Sequence, residues 1–250
     1  MFRKALLPTA AAIVMFALNS VARADVFTVV GSNGGQPINA TANVTVGANN
    51  TITVTLTNNL SAAQTVSVAQ AISGIQLSFR NASGQLITGI TGVNSVTGSG
   101  QLIFIDGGGT VTQAGGSSSP DSLTWASSRT TSSVSLTALG QTGAFGTNPP
   151  DELIVGGPSV TYANANGSIA SNNPHNPFVS RTATFTFVVT GVTLGAGTRI
   201  SDVVFLFGTG PDRISGTPTN TVPEPMTMIL FGTGLAGIAA RARRRRSTKS

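Results

Sequence analysis

Wherever a pattern can be read between residues 25 and 222, apolar side chains alternate with Thr or Ser at a period of two. Successive side chains of a strand point to opposite faces, whereas a helix repeats every 3.6 residues, so this alternation commits the stretch to half-buried strands. Val44, Val46, Ile52, Val54 and Leu56 keep one phase across the turn-like tetrad Gly47-Ala48-Asn49-Asn50, which reads as a hairpin. Ile75, Leu77 and Phe79 alternate ahead of Asn81-Ala82-Ser83-Gly84, and a second strand is expected over residues 85–90. Leu102 to Ile105 reads as a short buried run. Ser133 to Leu139, Leu153 to Val155 and the strongest segment, Ala183, Phe185, Phe187 and Val189, continue the series. Ile200 to Phe207 is expected to face that last segment across Gly191 to Gly197. With about ten short strands, Gly/Asn/Pro turns and hardly any helical period, the expected fold is all-β, an antiparallel β-sandwich. Ser61 to Ile72 is ambiguous between a helix and a loop. The absence of a fixed repeat or an internal Pro-rich linker favours one domain over residues 25–221.

Charged residues make up only 9% of the chain, against about 25% in an ordinary soluble domain. Ser, Thr, Asn, Gln and 30 Gly take their place, a surface hydrated by hydroxyls and amides that suits an extracellular β protein. The net charge of +6 belongs to the ends. Between Asp25 and Val222 there are five Arg against seven acids, so a nucleic-acid partner lacks the clustered cations that counterion release requires. There is no cysteine, which excludes disulfides, thiolate metal sites and a cysteine nucleophile.

Arg3 and Lys4 precede an apolar run from Ala5 to Leu18, and Ala22 and Ala24 then stand in an A-x-A arrangement. A basic start, a short apolar stretch and small residues define a secretory signal, so signal peptidase is expected to remove residues 1–24 and leave Asp25 first.

At the other end, Val222-Pro223-Glu224-Pro225 is followed by the apolar stretch Met226 to Ala240 and then by Arg241, Arg243, Arg244, Arg245 and Arg246. The two prolines hold their segment extended. As a helix, residues 226–240 reach only ~22 Å against a hydrocarbon core of roughly 30 Å, so they span the membrane marginally. The arginines resist transfer and stay on the cytoplasmic side, which places the body outside, in agreement with the leader. Gly232, Gly234 and Gly237 have the G-x-G-x-x-G spacing, yet a dinucleotide site needs a flanking strand and an acid roughly 20 residues on. Only 13 residues follow Gly237 and none is acidic.

The order Pro-Glu-Pro, apolar helix, arginine cluster closely resembles the PEP-CTERM sorting signal of Gram-negative bacteria. The resemblance covers residues 222–250 and departs from the usual look in the polar Thr227 and in the extension Ser247 to Ser250. It implies recognition of Pro223, Glu224 and Pro225 by a membrane transpeptidase of the exosortase kind. It further implies removal of the helix after transient residence in the inner membrane, and delivery to the cell surface or its exopolysaccharide. The plain alternative is a permanent C-terminal anchor.

Chemistry is sparse between the ends. His175 is the only histidine, in a proline-bracketed loop, and no G-x-S-x-G accompanies it. Asp106, Asp121, Asp151, Glu152, Asp202 and Asp212 could supply a carboxylate pair for glycoside hydrolysis. Asp106 enters a Gly loop whose carbonyls could ligate calcium, without any D-x-D spacing. Trp125 and Tyr162 are the only rings apart from Phe. Exposed, they would mark a carbohydrate-binding or adhesive module, although Trp125 has core spacing. The leading expectation is an exported noncatalytic surface or matrix protein with no cofactor and no metal. A glycan-binding module is the first alternative and a secreted hydrolase the second.

Overall fold

The computed structural model describes residues 24–114, 120–139, 150–158, 160–171, 173–195, 197–210 and 212–219. Over these residues the alternation becomes strands β1 (Ala24–Asn33), β2 (Gln36–Val46), β3 (Thr51–Asn58), β4 (Ile72–Arg80) and β5 (Gly92–Ile105). They are followed by β6 (Val111–Gln113), β7 (Asp121–Leu123), β8 (Ala126–Arg129), β9 (Ser133–Thr137) and β10 (Ile154–Val155). The series closes with β11 (Phe178–Thr190), β12 (Arg199–Phe207), β13 (Asp212–Ser215) and β14 (Thr217–Pro218). Among the described residues helix is confined to three single 3-10 turns. One of these, Val68–Gln70, is all that the ambiguous stretch 61–72 yields, and Ser67 and Gln70 cap it reciprocally.

The expectation of an all-β chain is met, and the arrangement of the sheet is corrected. Hydrogen bonds join the strands into one sheet in the order β13-β12-β4-β10-β11-β3-β2-β1-β14, with β5, β6 and β7 branching from β11 and β8 and β9 from β4. The sheet is mixed, because β10 runs parallel to β11 through Ile154↔Val179 and Val155↔Ser180. It curls around its own inner face, so that β1 touches β12, which lies far from it along the ladder. Gly216 sits where those two strands meet. A Cβ there would come within 2.8 Å of Phe205 and 3.3 Å of Phe27.

The inward positions of the alternation form one core. Phe27, Ile52, Val54, Phe185 and Phe187 from one half pack with Ile75, Leu77, Phe79, Phe205 and Phe207 from the other. A smaller cluster gathers Ile103, Ile105, Leu153, Val155, Tyr162 and Phe178. Each large apolar side chain buried this completely contributes about 2 kcal/mol.

The hairpin read from residues 44–56 is present as β2 and β3, in register from Ala40↔Asn58 to Val46↔Ile52. Its turn places Asn49 and Asn50 at φ of 56° and 58°, the left-handed region that Asn tolerates. The Asn50 side chain accepts from Leu194 N and donates to Val192 O, both at 2.8 Å, tying the turn to the loop after β11.

Three finer expectations are corrected. Residues 85–90 form no strand and meet β4 through the bridge Arg80↔Leu86 and the bond from Ile87 N to Phe79 O, because β9 and β12 occupy the two edges of β4. The chain turns away at Gly89, whose amide, like that of Ile90, donates to Thr131 O. Segment 200–207 does not pair with 183–189: β11 has β3 and β5 on its edges, and β12 crosses to β4. Leu102 to Ile105 is not uniformly buried either, since Phe104 points outward with 44% exposure between buried Ile103 and Ile105.

Candidate functional site

The ionisable side chains of the body are bonded largely to its main chain, and His175 and Glu152 lie on adjoining segments, since Glu152 N donates to Pro177 O. His175 ends the 3-10 turn Asn173–His175, and its Nδ1 lies 2.7 Å from Pro150 O. Its neighbour Asn176 accepts from Ile105 N at 2.9 Å and donates to Ile105 O at 3.1 Å, which fastens the end of β5. Asp106 accepts from Gly108 N and Thr110 N, both at 2.8 Å, closing the Gly loop on itself. Asp121 accepts from Leu102 N and Asp25 from Ile200 N. Among the described residues no three of His, Asp and Glu are placed to hold a metal ion.

Glu152 is the most perturbed acid. It is buried, with φ of 57°, and its carboxylate accepts from Thr124 N at 2.7 Å and from the Thr124 hydroxyl at 3.2 Å. Burial raises its carboxyl above the ordinary value; the two bonds from Thr124 work the other way, and the charge of Asp151 adds to the rise. The Glu152 carbonyl accepts from the Trp125 indole at 3.2 Å, so the residue serves as a clamp between β7 and the approach to β10. Nothing in the sequence signalled this role, because a single acid in a loop carries no pattern.

Both candidate sugar-stacking rings belong to the interior. Trp125 is 5% exposed and packs on Phe185 with ring centroids 4.6 Å apart. Tyr162 is 1% exposed and donates its hydroxyl to Gly156 O. A glycan platform built on either ring is thereby corrected, since stacking needs an exposed ring face. A shallow groove of 270 Å³ beside β5, β6, Pro158 and Val160 has no titratable side chain in its lining.

What the fold does assemble is a regular polar face on β2, β3, β11 and β5. Thr45, Thr53, Thr186 and Thr97 lie side by side across the four strands. The next row is Asn43, Thr55, Thr184 and Ser99, and a third holds Thr41, Thr57 and Thr182. Hydroxyls of the β3 and β11 threonines approach one another at 3.4, 3.2 and 3.3 Å. Rows repeat at roughly 6.7 Å along the strands and columns at about 4.8 Å across them. The rows carry no charge. Such a face offers hydroxyls, amides and methyls to a hydrated partner.

The two ends of the described chain lie together. β14 pairs antiparallel with β1 through Phe27↔Pro218 and Thr28↔Thr217. Beyond it, the amide and the hydroxyl of Thr219 both donate to Val26 O, at 2.8 and 3.3 Å. Ala24 and Asp25, expected to flank the leader cut, open β1 two residues away, and Asp25 is buried. Ala22, Pro223, Glu224, Pro225, the 226–240 stretch and Arg241 to Arg246 lie outside the described residues.

The family model of the PEP-CTERM protein-sorting motif matches residues 221–245. The chain thus carries this motif, and the match takes in Pro223, Glu224, Pro225 and the arginines as far as Arg245. A motif of this kind marks an exported protein targeted to an exosortase, which transits a membrane before surface display. No curated protein matches the chain.

Proposed function

We propose that the chain is the precursor of a noncatalytic protein of the cell surface or exopolysaccharide matrix of a Gram-negative bacterium. Signal peptidase removes residues 1–24, residues 25–221 form one sandwich-like β ectodomain outside the inner membrane, and an exosortase releases it from the 226–240 helix and arginine tail. The observation that carries this reading is the sorting motif at residues 221–245, placed directly after the last strand of a β body. Support comes from the ends of the described chain: β1 starts and β14 ends on one edge of the body, so segments before Ala24 and after Thr219 can enter one membrane beneath it.

The noncatalytic part rests on the bonding of the polar groups. Asp25, Asp106, Asp121 and Glu152 each accept from main-chain amides, and His175 bonds a carbonyl. Contact with exopolysaccharide is assigned to the threonine face, whose uncharged hydroxyl and amide rows suit a hydrated, neutral polymer. Fractionation of cells exporting the full chain tests the reading. The protein is expected in the matrix fraction, and a variant with Pro223, Glu224 and Pro225 all changed to Ala is expected to stay with the inner membrane. Equal distribution of the two proteins would contradict it.

A further inference from the structure

We infer that β14 is a latch on C-terminal processing: paired with β1, it fixes the chain to the body four residues short of Pro223, and the sorting enzyme acts on the chain once β14 has peeled away. The inference rests on the exosortase reading above and adds a conformational step to it. Thr219 is pinned to Val26 by two hydrogen bonds, and Pro223 comes four residues later. A fully extended chain of four residues reaches at most about 14 Å. An enzyme that grips main chain on the body side of its cut must compete with β1 for residues 217–219.

The latch is built to open. Thr217 and Pro218 are exposed and form a ladder of only two residues. Both donors of Thr219 converge on a single carbonyl. The segment just before is held far better: β13 pairs with β12 through four residues, Ile214 packs against the core, and Gly216 N donates to Val203 O. Local opening draws on the parts of a fold with least buried surface, so peeling stops at Gly216. The tether to Pro223 then grows to seven residues, or about 25 Å of reach.

The chain has no cysteine, so Thr28→Cys with Thr217→Cys creates the only possible disulfide. The two residues face each other in the ladder, at a Cα separation of about 5.5 Å that a disulfide accepts. In cells exporting the full chain, the wild type and each single variant are expected to lose the tail. The oxidised double variant is expected to lose it at least tenfold more slowly, with reductant restoring the rate. A flexible linker of about six residues inserted after Asn220 is expected to restore it without reduction, because the added chain supplies the missing reach. Loss of the tail from the oxidised double variant at the wild-type rate overturns the latch, and so does a failure of the linker to rescue. If the wild type itself never loses the tail, the exosortase reading falls and takes the latch with it.

Discussion

Buried amides and the buried acid Glu152 fix parts of this fold that no strand holds. Gln70 is fully buried and uses its whole side chain: Oε1 accepts from Val66 N and Ser67 N, and Nε2 donates to Pro37 O and Gln64 O. Gln70→Ala strands those main-chain groups and is expected to cost about 3 kcal/mol in a denaturant titration; a change below about 1 kcal/mol would show that water replaces the amide. Glu152 gives a signed pH dependence. Its folded-state carboxyl titrates above its ordinary value of 4.5, so the folded protein holds the proton to higher pH than the unfolded chain does. This contribution to stability is complete below the unfolded value and is lost as pH rises through the folded one. As pH rises above the ordinary carboxylate value, the Glu152→Gln variant is therefore expected to lack a decline in stability that the wild type shows. Parallel profiles would remove Glu152 as its source. Neither residue was legible in the sequence, because an isolated Gln or Glu has no period and its partners are main-chain atoms distant in the chain.

At the scale of elements, the period of two was a reliable guide to faces and a poor one to partners. The phase kept by Val44, Val46, Ile52, Val54 and Leu56 placed the β2–β3 hairpin, and Phe185 and Phe187 fell on the inner face as their spacing required. That β12 would choose β4 over β11 was not legible, since alternation names the buried side of a strand and says nothing about its edges. The two-residue strands β10 and β14 are too short to carry any pattern at all. On the outer face, Thr55 and Thr184 contribute a cross-strand pair worth about 0.2 to 1 kcal/mol. The double change Thr55→Val, Thr184→Val keeps shape and β propensity, so stability is expected to move by less than about 1 kcal/mol. Sedimentation with isolated exopolysaccharide should weaken several-fold at the same time. Unchanged sedimentation would assign the face to solubility alone. In the core, Phe187→Ala is expected to cost about 3 to 5 kcal/mol, measured as a lowered unfolding midpoint.

Over the whole molecule, the legible and illegible parts divide along the chain. The sorting segment could be read directly because its recognition elements, Pro223-Glu224-Pro225, the apolar stretch and the arginines, follow one another in sequence. The body required the fold, because its most regular surface and its joined ends are assembled from strands far apart in the chain. Together they fit the proposed precursor, a low-charge β body with a leader before β1 and a sorting segment after β14. The intact mass of the protein recovered from washed cell surfaces and culture fluid tests this description most directly. A species that begins at Asp25 and has lost Arg243 to Arg246 is the expected result. A surface species that still carries those arginines would contradict it and make the C-terminal segment a permanent anchor.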